Sequence, residues 1–247
     1  MKRCVPVPTA VVLGARNLGG AIASHLLQEG WDVAAAARSE DTLERVRAAG
    51  AVALQADAAN PGELSDALLR AREQFGGLDL VVNAVSAARP PADGAGGFGG
   101  GPLAEATVEG FRGWTAAVAE QAFVFLSEGA RALREAGGGG TLVQVTGGSS
   151  RRAMPGRGLW SAGAQATRAL VQAAAQELRE DGIHAALLIV DATIESPKTE
   201  AFTRDAPRDA LADQADVARA VAYLAGQSPR SWTHELQLTP RGDRWVP

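Results

Sequence analysis

The stretch TAVVLGARNLGGAIASHLLQEGWDVAAAARS, residues 9–39, decides how the chain folds. Residues 9–13 are a short apolar run that reads as a buried strand, and residues 32–37 (DVAAAA) are a second. Between them, residues 17–30 read as a helix closed by Gly30. The alternation continues outward. Strand-like runs recur at 51–56, 79–84, 141–146, 184–190 and 234–239, with helical stretches near 40–49, 61–75, 105–136, 160–181 and 213–226. Strands apolar on both faces that alternate with helices predict a parallel sheet covered on both sides. Right-handed crossovers make it a doubly wound α/β sheet of about seven strands. No repeat or boundary breaks the pattern, so residues 1–247 read as one domain.

Bulk properties narrow the function. The net charge is −4 and the arginines are scattered, which argues against a nucleic-acid partner. One cysteine, Cys4, excludes an internal disulfide. The three histidines, His25, His184 and His234, have no metal-ligand spacing, so no metal is expected. The opening MKRCVPVPTAVVLG lacks the apolar core of a leader, and no apolar run reaches the ~20 residues of a membrane span. These features predict a cytoplasmic protein with no membrane partner.

The turn GARNLG, residues 14–19, joins the first strand to the first helix. Gly14 permits a tight turn and Gly19 a close helix approach, while the helix start offers N–H groups to a pyrophosphate. Arg16, Asn17 and Leu18 complete this loop, with Arg16 where the dinucleotide fingerprint prefers glycine. The second strand ends at Ala37 and Arg38, with no acid to bind ribose hydroxyls. Arg38 and Arg16 suit a 2′-phosphate, so NADP(H) is favoured over NAD(H).

The order of these pieces resembles the short-chain dehydrogenase/reductase family. LGARNLGGAIASHLLQEGWDV looks like its opening βαβ unit, and QADAANP like its third strand with the adenine-contacting Asp57. LDLVVNA is similar to its Asn-Ala-Gly motif, carried by Asn83 and Ala84. GTLVQVTGG, the long helix from LWSAGAQ, and SWTHELQLTP complete the likeness. It implies a Rossmann domain: residues 9–84 as the nucleotide half, and 105–247 as the half with the pocket and the oligomer helices.

The resemblance also implies an Asn, Ser, Tyr and Lys tetrad, and here the chain departs. Those places fall on Glu120, Gly147, Trp160 and Ala164. The Tyr–Lys spacing of four puts both on one helix face, where the ammonium lowers the phenol pKa. Trp160 has an N–H that donates but does not ionise near neutrality. The only tyrosine is Tyr223, and the only lysines are Lys2 and Lys198. Two readings follow. One is an atypical oxidoreductase using Thr146, Ser149 or Ser150 to hold a carbonyl, with water or Asp191 handling the proton. The other is a catalytically inactive nucleotide-binding or assembly protein. The resemblance and the alanines of 105–136 and 160–181 imply a homo-dimer or tetramer. The Gly/Pro-rich segment 87–102 reads as a mobile surface loop, with a lid as the functional alternative.

Overall fold

A computed structural model describes residues 7–86 and 99–243. The apolar runs become β1 (Thr9–Leu13), β2 (Asp32–Ala37), β3 (Val52–Gln55), β4 (Leu80–Asn83), β5 (Gly140–Gly147) and β6 (Ile183–Val190). β7 (Thr193–Ile194) and β8 (Leu211–Ala212) pair apart as a two-stranded ribbon that the sequence did not announce. β9 (Glu235–Leu238) completes a seven-stranded parallel sheet ordered β3-β2-β1-β4-β5-β6-β9. The order reverses between β1 and β4, which opens a crevice at their carboxyl ends.

The helices are α1 (Leu18–Gln28), α2 (Glu40–Ala48), α3 (Pro61–Phe75), α4 (Val108–Thr115), α5 (Gln121–Glu135), α6 (Gly158–Glu177), α7 (Glu200–Thr203) and α8 (Gln214–Ala225). Local chemistry sets several starts. Asn60 accepts from the N–H groups of Gly62 and Glu63 ahead of Pro61, and Thr107 and Asp213 cap α4 and α8. Strand residues alternate between two cores. Val11 and Leu13 pack with Leu64, Phe125 and Val171 under α3, α5 and α6. Ala10 and Val12 pack with Ile22, Leu26 and Val221 under α1 and α8.

Two expectations change in detail. The stretch 105–136 is not one regular helix: a π-helical turn, Ala116–Glu120, joins α4 to α5. The Gly/Pro-rich segment 87–102 lies outside the described residues up to position 98, and its last glycines are not a mobile surface. Gly99, Gly100 and Gly101 are buried and adopt positive φ. The Gly99 carbonyl accepts a hydrogen bond from the Trp160 backbone N–H at 3.3 Å, and Gly101 bridges to Arg157. A Cβ at Gly100 would meet the Leu159 side chain at 2.6 Å, so only glycine lets this segment lie against the start of α6.

The β9 edge carries a two-pronged ion pair. Arg168 of α6 grips Glu235 of β9 with two bonds of 2.7 and 2.8 Å, and Gln172 adds a third of 2.9 Å. The Arg168 bonds, with support from Gln172, hold the Glu235 carboxyl below its ordinary range against the opposing effect of burial. Beside it, His184 is buried and stacks on Trp232 with ring centres 5.1 Å apart. Burial pushes the His184 imidazole below its ordinary pKa, and His234 adds to this, while a hydrogen bond to the Thr233 carbonyl opposes it.

Both groups bind fewer protons folded than unfolded, so stability falls on acidification. The His184 share is lost first, below the ordinary imidazole range, and the Glu235 share as pH drops through its lowered folded value. Urea unfolding between about pH 7.5 and about pH 5.5 is expected to show a shallower slope for His184→Phe than for the native chain. Equal slopes would refute the assignment.

Candidate active site

The crevice between β1 and β4 opens into two connected cavities. The outer one, about 610 Å³, is lined by Gly14, Ala15, Arg16, Asn17 and Leu18, by Ala37 and Arg38 after β2, and by Asp57 after β3. Its inner end is shared with a second cavity of about 360 Å³ through Asn17, Leu18, Ala84, Val85, Ser86, Ala117 and Gln121.

The outer cavity is shaped by the first turn. Gly14 has φ +82°, and a Cβ there would sit 2.8 Å from the Ala84 carbonyl and the Val85 backbone. Gly19 is buried, with an added Cβ only 2.5 Å from the Gly14 carbonyl. It closes the turn rather than lining the cavity. α1 therefore begins at the crevice, and the Asn17 side chain makes no capping bond to it. The first N–H groups of a helix have no intrahelical partner, so they remain for an anion. Arg38 faces Asp57 at 3.5 Å with both side chains well exposed, 71% and 40%. An exposed pair contributes about 0–1 kcal/mol, so a phosphate can recruit this guanidinium at small cost.

The inner cavity is walled by Gln144, Val145, Thr146 and Gly147 of β5, by Trp160 of α6, and by Ser196, Lys198 and Thr199 beyond β7. Thr146, Gly147 and Trp160 thus all line this cavity. Trp160 packs edge-on against Trp114, with ring centres 5.4 Å apart at 82°. Ala164 is buried and does not line either cavity. No carboxylate lines the inner cavity, and its one ionisable side chain among the described residues is Lys198.

Several expected residues lie elsewhere. Glu120 is exposed and lines neither cavity. The next residue, Gln121, faces both. A π turn carries an extra residue, which rotates the following side chains away from regular α spacing. Asn83 is wholly buried beneath the floor, where it bonds Gln121 and Gln144. Ser149 lines neither cavity, and Ser150 is buried with its hydroxyl on the Gly147 carbonyl at 2.9 Å. Asp191 is buried away from the cavity lining. It pairs with Arg152 at 2.7 Å and accepts from Gln237 at 3.2 Å. The polar Gln144 inside an apolar strand was a readable sign of a buried polar site; Lys198 and Gln121 carried no such local sign.

Known proteins share this fold and much of this sequence. The sequence model described as Enoyl-(Acyl carrier protein) reductase matches residues 12–235. The chain is 29% identical over 239 residues to 2-(R)-hydroxypropyl-CoM dehydrogenase of Xanthobacter autotrophicus, covering 88% of this chain and 91% of that one. It is 32% identical over 194 residues to an uncharacterised NAD-dependent oxidoreductase of Mycobacterium tuberculosis, covering 70% and 67%. A solved short-chain dehydrogenase from Rhodopseudomonas palustris superposes with a TM-score of 0.73 at 27% identity, covering 94% of this chain and 98% of that one. With its sheet order, its crevice and 224 residues (12 through 235) matched to one family model, the chain belongs to the short-chain dehydrogenase/reductase family.

Proposed function

We propose that this protein is an oxidoreductase that binds NADP(H) in preference to NAD(H) and works without the family's tyrosine–lysine pair. The observation that carries the reading is the outer cavity. It joins an uncapped helix start to two arginines, and no acid ends β2. The N–H groups of α1 would hold the pyrophosphate, Arg16 and Arg38 the 2′-phosphate, and Asp57 the adenine end. Bound there, the dinucleotide supplies or accepts a hydride. The mycobacterial relative is named NAD-dependent. Arg38 after Ala37 is the feature that favours the phosphorylated form here.

Fluorescence titration is expected to give tighter binding of NADPH than of NADH, and Arg38→Asp is expected to reverse the order. Equal affinities in the native chain would end this reading.

The catalytic region is read as divergent. Trp160 occupies the wall where the family's phenol is expected, and Tyr223 is 58% exposed on α8, lining neither cavity. Asp191 is engaged by Arg152 rather than turned to the cavity. Proton transfer then falls to water or to Lys198. The substrate is held near Thr146, Trp160 and the amides below them.

A homo-oligomer built on α4–α5 and α6 is part of the same reading. Phe111 and Phe123 are 47% and 55% exposed, and Ala162, Ala169 and Ala173 line an exposed face of α6. Ala119 instead packs inward. Light scattering at micromolar concentration is expected to give a mass of two or four chains. A monomer mass would exclude it.

A further inference from the structure

Three amides meet under the inner cavity, and their orientation is fixed by a group that can only donate. The backbone N–H of Val85 donates to Asn83 Oδ1 at 3.2 Å. The oxygen of Asn83 must therefore face Val85. Its nitrogen faces the other way and donates to Gln121 Oε1 at 2.9 Å and to Gln144 Oε1 at 2.7 Å. Both Asn83 N–H groups are thereby used, and both glutamines present their oxygens to Asn83.

Their nitrogens can then be counted. A side-chain NH₂ carries two donors. Gln144 Nε2 gives one to the Val145 carbonyl at 2.8 Å, an atom that only accepts, in agreement with the orientation above. Gln121 Nε2 gives one to Asn83 Oδ1 at 3.3 Å. Among the described residues, each glutamine keeps one further N–H. Both are buried, at 6% and 5% exposure, and both line the inner cavity. Thr146 lies two residues along β5 from Gln144, on the same strand face, and lines the cavity too.

We propose that the spare N–H groups of Gln121 and Gln144 form a two-donor site for the carbonyl oxygen of the substrate, an aldehyde, ketone or quinone. The proposal rests on the oxidoreductase reading above. Neutral donors with no carboxylate beside them suit an oxygen that gains negative charge. As a hydride adds to the carbonyl carbon, the C=O π pair moves onto the oxygen, where the two N–H groups stabilise it. An amide does not give up its proton at neutral pH, so the alkoxide takes its proton from water or from Lys198 at the cavity wall. Asn83 is the positioning residue, because it turns both glutamines toward the cavity.

The probe is 4-(dimethylamino)benzaldehyde, whose absorption moves to longer wavelength when its carbonyl accepts hydrogen bonds. The native chain is expected to bind it with a red shift. Gln121→Leu and Gln144→Leu are expected to reduce the shift and to lower NADPH-linked reduction of 9,10-phenanthrenequinone about 100-fold. NADPH affinity should stay within about threefold for Gln144→Leu, whose side chain lines the inner cavity only and acts on the substrate oxygen. Gln121→Glu guards against simple misfolding, because its carboxylate still accepts from Asn83. The carboxylate has no donor and the protonated acid has one O–H. Asn83 Oδ1 keeps its bond from Val85, so that O–H is free to turn to the cavity. The red shift should therefore return as pH falls, which a packing role would not produce. An unshifted probe with the native chain, bound or not, overturns the proposal. So does a Gln121→Glu shift equal to the native one at every pH. If the probe shifts normally but NADPH does not bind, the cofactor reading fails and the amide site stands.

Discussion

Replacing Gly19 by alanine is expected to weaken NADPH binding at least about 30-fold and to cost about 2 kcal/mol of stability. The added methyl carbon would sit 2.5 Å from the Gly14 carbonyl oxygen and 2.9 Å from its carbon. Both are backbone atoms and cannot swing aside as a side-chain end can. Relief has to come from moving α1 away from the turn. That movement displaces the N–H groups proposed to hold the pyrophosphate and disturbs Gly14, which already packs on Ala84 and Val85. Gly30 is the control. It has φ +84° but nothing within 4 Å of an added Cβ. Gly30→Ala is expected to cost about 1 kcal/mol through backbone strain alone and to leave NADPH affinity intact. Denaturant midpoints and fluorescence titration of the two variants check both halves. Unaltered binding by Gly19→Ala would detach the turn from the cofactor.

Asp191→Ala is expected to lower stability by about 2–3 kcal/mol, a fall in Tm of about 5–10 °C for a chain of this size. Asp191 is 9% exposed at its side chain and pairs with Arg152 at 2.7 Å, while Gln237 reaches the same oxygen at 3.2 Å. Its carboxylate also fills the space beside Gly148, where a Cβ would overlap it. The residue therefore ties the loop before α6 to the end of β6 and to β9. Its loss leaves Arg152 without its partner and opens a gap. Arg152 is 28% exposed, so water recovers part of its charge energy and the loss stays below that for a fully buried pair. Arg152→Met on the Asp191→Ala background should cost little more, because the pair is already broken. Thermal unfolding of the three variants gives the coupling directly. An Asp191→Ala protein as stable as the native chain would mean that the pair holds nothing.

The features that follow from residue order alone are local and periodic. The runs at 9–13, 32–37 and 184–190 became β1, β2 and β6 within a residue, because a strand buried on both faces must be apolar throughout. Gly14, Arg16 and Arg38 were legible as cavity residues for a related reason. In a doubly wound sheet, the first two βα turns lie at the crevice whatever the rest of the chain does. Trp160 could be placed from its position at the start of a helix.

The polar interior of the site depends on long-range packing. One extra residue in the π turn moved the cavity position from Glu120 to Gln121, and backbone winding of that kind has no periodic mark in side-chain polarity. Asn83 meets Gln121 and Gln144 across separations of 38 and 61 residues, and Asp191 meets Arg152 across 39. Spacing along the chain does not report contacts of that length. They exist because the sheet sets β4 beside β5 and β5 beside β6, and a buried amide or carboxylate must take whichever partner that packing brings within reach.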